Sequence, residues 1–215
     1  MKYFGYFRSS AAYRLRIAFG LKGLAPDFIP VHLVRDGGQQ KTEAYRDVNP
    51  QALVPSLLTD DGAVLTQSLA ILEWLEETCP EPPLLPKDPV ARAHARAFAQ
   101  VICCDIHPLQ NLRVLQYLRT EYGQDQAGVE AWCRRWLGEG LSACEALVAR
   151  GGENRFCFGE EPGLADVCLV PQLFSADRFG VDLGAMPRLR AIRAACEALP
   201  AFAAAHPSRQ PDTEA

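Results

Sequence analysis

Four prolines fall within the eight residues 79–86, CPEPPLLP, and no helix or strand runs through such a stretch. Each proline lacks a backbone N–H, and its ring collides with the turn before it. The chain is therefore read as two parts joined here. The linker is placed at residues 81–88, between a domain over residues 1–80 and a second over 89–215. With 215 residues in all, the chain is long enough to bury about 70–75% of its unfolded surface.

The two parts differ in pattern. Before the break, residues 2–7 form an aromatic-rich run suited to a strand. A helical pattern follows, with Ala11, Leu15 and Ala18 on one face and Gly23 as its stop. Residues 28–34 read as a second strand, closing a βαβ unit. A short helix is expected over 41–47. Asn49-Pro50 breaks the chain before LVPSLL, where Pro55 suits a cis bond at the start of a strand. Asp60-Asp61-Gly62 makes a hairpin turn into a strand over 63–66, and Ser68 is expected to cap a helix buried through Ile71, Leu72 and Leu75. The order β-α-β-α-β-β-α is that of a thioredoxin-like domain. After the break the pattern is helical throughout, over about 89–122, 128–150, 164–179 and 187–198. The fold class is thus an α/β thioredoxin-like domain followed by an all-α domain. Residues 206–215 show no apolar period and are expected on the surface.

Composition narrows the function. A net charge of −4 argues against a general nucleic-acid binder, which needs a basic excess. No apolar run approaches the roughly 20 residues that span a bilayer, and the start, MKYFGYFRSS, lacks the features of a signal peptide. A cytoplasmic protein is expected, with no membrane or nucleic-acid partner. Eight cysteines are present, but none is spaced as CxxC, so neither a metal site nor a dithiol is indicated. They read as reduced, small apolar residues.

A strand that ends at a helix N-terminus gathers free N–H groups and the positive end of the helix dipole. Here that junction carries Arg8-Ser9-Ser10. A thiolate placed there would be stabilised, yet the chain supplies no cysteine, so a sulfur has to come from a bound small thiol. Alone, Ser9 or Ser10 reads as an N-cap.

Taken together the motifs are specific. RSSAAYRLRIA at 8–18, DGGQQ at 36–40, NPQALVP at 49–55, QSLAI at 67–71, DIHPLQNLR at 105–113, LADVCLVPQ at 164–172 and HPSRQPDT at 206–213 resemble the zeta-class glutathione transferases, the maleylacetoacetate isomerase family. The resemblance covers nearly the whole chain, and its first and last motifs are the most class-specific. It implies the glutathione transferase fold, glutathione as coenzyme and a homodimer. Ser9 and Ser10 correspond to the hydroxyls beside the glutathione sulfur, with Ser9 the first choice. Val54 would offer its backbone to the cysteinyl part. Gln67 and Ser68 would hold the γ-glutamyl carboxylate at a helix N-terminus, where anions are favoured on general grounds. Gln40, His107 and Asn111 match further glutathione-binding positions. Arg8, Arg113 and Arg178 match positions suited to a dicarboxylate substrate, since the guanidinium fork fits carboxylates. Arg14 and Arg16 read as solvated or paired within the fold, and Asp166 as half of a helix-capping box. Two departures stand out: Ala11 replaces a cysteine frequent in the class, and His107 a glutamine found in some members.

The function implied is glutathione-dependent cis–trans isomerisation of maleylacetoacetate to fumarylacetoacetate by reversible thiolate addition. Maleylpyruvate isomerase, with the same chemistry on a shorter oxo chain, is the alternative. A non-catalytic glutathione-binding module is the rival from another class; it has no use for the serines and arginines together.

Overall fold

The computed structural model describes residues 1–213 and divides the chain into two compact units. The first holds Met1–Pro83 and the segment from Ala198 on; the second is Leu84–Glu197.

In the first unit, strands β1 (Lys2–Gly5), β2 (Asp27–Pro30), β3 (Ser56–Leu58) and β4 (Val64–Thr66) form one sheet in the order β2-β1-β3-β4. β1 and β2 run parallel, with Tyr3 opposite Phe28, across the helix α1 (Ser10–Leu21). β3 and β4 are antiparallel neighbours, with Leu57 opposite Leu65. Helices α2 (Glu43–Val48) and α3 (Ser68–Thr78) complete the expected order. Leu15, Ile17, Ala18, Leu57, Ile71, Leu72 and Leu75 are buried in this unit. β1 and β2 are shorter than the sequence suggests. β1 gives way at Tyr6 to the turn leading into α1, and β2 ends before His32, whose ring folds onto the following loop.

The expectation that the helical domain extends to residue 215 does not hold at its end. A further helix, α9 (Pro200–Ala205), packs on α1. Their backbones approach so closely that a Cβ at Gly20 would lie 3.2 Å from the Ala201 Cα. This contact buries α1 on more than the single face read from its periodicity; Ala12, Tyr13, Leu15, Ile17 and Ala18 are all within 2% of full burial. The stretch from His206 lies mostly at the surface, as expected, with Ser208, Arg209 and Pro211 exposed, but it is anchored at two points. Pro207 is buried, and Asp212 accepts a hydrogen bond from the Phe7 N–H at 2.9 Å. Residues 214 and 215 lie outside the described residues.

The second unit contains α4 (Pro89–Gln100), α5 (Leu112–Tyr122), α6 (Gln126–Arg150), α7 (Leu164–Arg178) and α8 (Pro187–Glu197). The single helix expected over 89–122 is broken. A widened turn occupies Val101–Ile106 and a 3-10 turn His107–Gln110. Pro108 removes an N–H there, and the Asn111 side chain caps the restart by accepting from Arg113 N–H at 3.2 Å. At the start of α7, Asp166 accepts from the N–H groups of Gly163 and Cys157, each at 2.9 Å. Its carboxyl is 1% exposed, and burial raises its pKa. It is a structural fastening between a loop and a helix start.

All eight cysteines are free thiols, five of them buried. Burial pushes Cys133 to about 11 and Cys144 to about 12, and Cys157 and Cys196 upward as well. In an unfolded chain a thiol titrates near about 8.5. Between these values the unfolded state releases protons that the folded state keeps, so stability is full below about pH 8.5 and falls as pH rises. Urea midpoints are expected to decline from pH 8 to pH 10.5. The decline should be shallower in Cys144→Ala by up to about 1.4 kcal/mol per pH unit. An equal slope in the variant would contradict the burial assigned to this thiol.

Candidate active site

β1 ends at Gly5, and the turn that follows hands the chain to α1. Ser9 is the N-cap, with φ −70° and ψ 118°; its Oγ accepts from the Ala12 N–H at 3.2 Å. A hydroxyl that accepts one bond keeps its own proton to donate. Capping and sulfur stabilisation are therefore compatible at Ser9, which is half-buried, whereas Ser10 is only 8% exposed. Arg8, beside them, is exposed. Its guanidinium lies 5.0 Å from the Phe7 ring centre and donates to Tyr6 Oη at 3.1 Å.

The loop carrying Val54 is shaped by two residues given no role in the sequence reading. Buried Asn49 donates from Nδ2 to the Leu53 carbonyl at 2.8 Å and accepts the Gln51 N–H at 3.0 Å. Tyr45 Oη donates to the same Leu53 carbonyl at 2.7 Å and lies 3.0 Å from Ser56 Oγ. Val54 follows at once, joined to Pro55 by the expected cis peptide bond. The Asn49-Pro50 break was the sequence signal for this turn.

At α3 the cap differs from expectation. Ser68 is the first helical residue and Gln67 holds the cap position, without a side-chain cap bond. Gln67 has φ +66° and ψ 116°, a sparsely populated conformation for a residue with a side chain. Such strain gathers at ligand clamps. The exposed Gln67 side chain donates to Gln51 Oε1 at 2.8 Å. Ser68 Oγ accepts from Nη1 of Arg14 at 3.1 Å. Arg14, 1% exposed, thus brings a buried cation to a helix N-terminus that already favours anions. The sequence reading left open whether Arg14 is solvated or paired; it is paired, with a residue 54 positions away.

Gln40 is 6% exposed. Its Nε2 donates to the Leu33 carbonyl at 3.3 Å, while Oε1 has no partner among the described residues. A buried amide left half-satisfied suits a polar ligand. A hydroxyl with a spare proton, a carboxylate-ready helix start and this amide fit the parts of glutathione: thiol, γ-glutamyl carboxylate and peptide.

The remaining sequence candidates lie in the second unit. His107 opens the 3-10 turn and is half-buried; Asn111 caps α5, and Arg113 is exposed in its first turn. Arg178 ends α7, exposed, its guanidinium 5.2 Å from the Phe179 ring centre. Ala11, where the class often has cysteine, is buried. Among the described residues, no group of three or more His, Cys, Asp or Glu side chains is placed to hold a metal, and no helix is long and apolar enough to cross a membrane.

A thioredoxin-like unit with two prepared helix starts, followed in sequence by a helical unit, is the architecture of the glutathione transferases. Residues 8–78 match the glutathione S-transferase N-terminal domain family and residues 127–204 the C-terminal domain family. The chain is 51% identical over 215 residues to the maleylacetoacetate isomerase of Pseudomonas aeruginosa, covering 100% of both. It is similar in structure to a holo maleylpyruvate isomerase, a bacterial zeta-class glutathione S-transferase, with a TM-score of 0.96, 46% identity and 100% of each chain covered. The maleylacetoacetate isomerase of Methylobacterium extorquens AM1, with bound malonate and glutathione, gives a TM-score of 0.95 at 42% identity, again over 100% of each chain. This chain belongs to the zeta class of the glutathione transferase family.

Proposed function

We propose that the chain is a glutathione-dependent isomerase converting maleylacetoacetate to fumarylacetoacetate. The observation that carries this reading is Ser9, whose hydroxyl caps α1 through its lone pair and keeps a proton to give. Bound glutathione supplies the sulfur that adds reversibly to the activated cis double bond, so that the bond can rotate before the sulfur leaves. Ser9 donates its Oγ proton toward that sulfur and, with the α1 dipole, holds it as thiolate. Gln67, Ser68 and the α3 N-terminus, backed by Arg14, hold the γ-glutamyl carboxylate. Val54 and Gln40 take the peptide portion, with His107 and Asn111 as further contacts. Arg8, Arg113 and Arg178 bind substrate carboxylates and support negative charge that develops on the oxo chain. None of these steps needs a strong side-chain base, nor the cysteine that Ala11 replaces.

Maleylpyruvate is the second reading, favoured by the likeness to a maleylpyruvate isomerase at a TM-score of 0.96. Cytoplasmic location and a homodimer complete the proposal, supported by membership of the class. Turnover of each substrate with and without glutathione tests it. No isomerisation is expected without glutathione, and preference for the longer substrate with it. Undiminished turnover by glutathione-free protein overturns the mechanism, and a preference for maleylpyruvate exchanges the two readings.

A further inference from the structure

The segment from Ala198 on has no part in the roles above, yet it is fastened to the turn that carries Arg8 and Ser9. Arg16 spans the junction. Its Nε donates to the Ala205 carbonyl at 2.9 Å and its Nη2 to the Phe7 carbonyl at 3.0 Å, while Nη1 reaches the Tyr6 carbonyl at 3.5 Å. Asp212 holds the same residue through its other polar group, Oδ2 accepting the Phe7 N–H at 2.9 Å. Both backbone groups of Phe7 are thus held by charged side chains, in bonds about twice as strong as neutral ones. Phe7 lies beyond the end of β1, where the sheet no longer fixes the chain.

Aromatic contacts lock the same corner. The Arg16 guanidinium lies 5.1 Å from the Tyr13 ring centre, and the His206 ring meets Tyr13 edge-on at 6.2 Å. Below them, the buried Tyr3 hydroxyl donates to the Ala12 carbonyl at 2.8 Å. Burial raises its pKa to about 12, Arg16 pulling it down and Asp212 pushing it up, so both charges bear on the one hydroxyl that ties β1 to the first turn of α1.

We propose that Asp212 is a positioning residue for Ser9: by holding the Phe7 N–H while Arg16 holds the Phe7 carbonyl, it sets the turn that aims the Ser9 hydroxyl. The turn itself closes through Ser9 N–H on the Tyr6 carbonyl at 3.0 Å. A shift at Phe7 therefore passes to Ser9 through one hydrogen bond and two residues. This inference rests on the reading of Ser9 as the group that stabilises the glutathione thiolate.

The test compares Asp212→Ala, Asp212→Asn and Ser9→Ala in the full chain. Two readouts are taken on the glutathione complex: the dissociation constant by calorimetry, and the pKa of the bound thiol from its ultraviolet thiolate absorbance. A third is hydrogen exchange at the Phe7 amide in the ligand-free protein. Asp212→Ala is expected to speed that exchange, raise the thiol pKa by about one unit and lower kcat about tenfold, a tenfold loss of thiolate being one pKa unit. Asp212→Asn keeps an acceptor oxygen and is expected to restore all three. A purely electrostatic role gives the opposite sign, because removing a negative charge lowers a thiol pKa, and it makes the two variants alike. That result overturns the proposal, as does an unchanged thiol pKa in Asp212→Ala despite faster exchange. Should Asp212→Ala fail to fold, Asp212→Glu, which moves the acceptor off the Phe7 N–H, takes its place under the same criteria. Ser9→Ala separates the two ideas. If it leaves the thiol pKa unchanged, the Ser9 reading fails; if it alone raises the pKa, only the positioning role of Asp212 fails.

Discussion

Ser9→Ala is expected to lower kcat by about 10²–10³, the loss typical of removing one hydrogen-bond donor from a developing or fixed negative charge. The same change removes an N-cap, which costs about 1 kcal/mol of stability. Activity should therefore fall by hundreds while the urea midpoint moves only slightly. The bound thiol should also ionise at higher pH, so that the variant recovers part of its rate as pH rises toward 9. Ser10→Ala, at a position 8% exposed, is expected to keep most of the activity. The double variant should match Ser9→Ala. Steady-state kinetics across pH, beside denaturation curves, checks all three. Full activity in Ser9→Ala with loss only in the double variant would mean that either hydroxyl serves.

The second large effect concerns stability alone. Lys22, directly after α1, has a fully buried side chain. Its Nζ contacts Glu76 Oε2 at 3.1 Å and donates to the carbonyls of Cys79 at 2.6 Å and Pro82 at 3.0 Å. One ammonium thus joins the end of α1, the last turn of α3 and the start of the proline-rich stretch. Lys22→Met is expected to destabilise the protein by about 3–5 kcal/mol, since it removes the buried ammonium that a carboxylate and two carbonyls share. Lys22→Met combined with Glu76→Leu should recover much of it. Urea denaturation of the single and double variants at pH 7 measures both effects. A loss below 1 kcal/mol in the single variant would refute the coupling.

Local rules reached far along this chain because its elements are short and clearly punctuated. The alternation before Cys79, the hairpin at Asp60-Asp61-Gly62 and the stripe Ile71, Leu72 and Leu75 all depend on neighbours within a few residues. Pro108 marks locally where the helix expected over 89–122 cannot continue. What escaped was long-range. Nothing in the neighbours of Arg14 decides between solvated and paired, and nothing near Lys22 marks it for burial, until their partners 54 residues later are known. Arg16 meets Ala205 across 189 residues, and Phe7 meets Asp212 across 205. No periodicity encodes such pairings. The alanines of α9 carry little pattern of their own, and Gly20 shows its purpose only when Ala201 lies against it. The serines were legible as a cap from spacing, and the sulfur role proposed for them comes from the helix start they occupy and from likeness to the class. That both roles fit one hydroxyl required the geometry at Ser9.

The pairing of α1 with α9 also governs the order in which the molecule can be finished during synthesis. The first unit is interrupted by the whole of Leu84–Glu197, so α9 leaves the ribosome only after that insert has been translated. At about 5–20 residues per second this is a wait on the order of ten seconds. The insert is continuous and free to fold as it emerges. The older unit meanwhile holds α1 uncovered on the side that Ala201 will occupy, and a nascent chain stalled before Ala198 exposes that apolar side to whatever chaperone or protease is near.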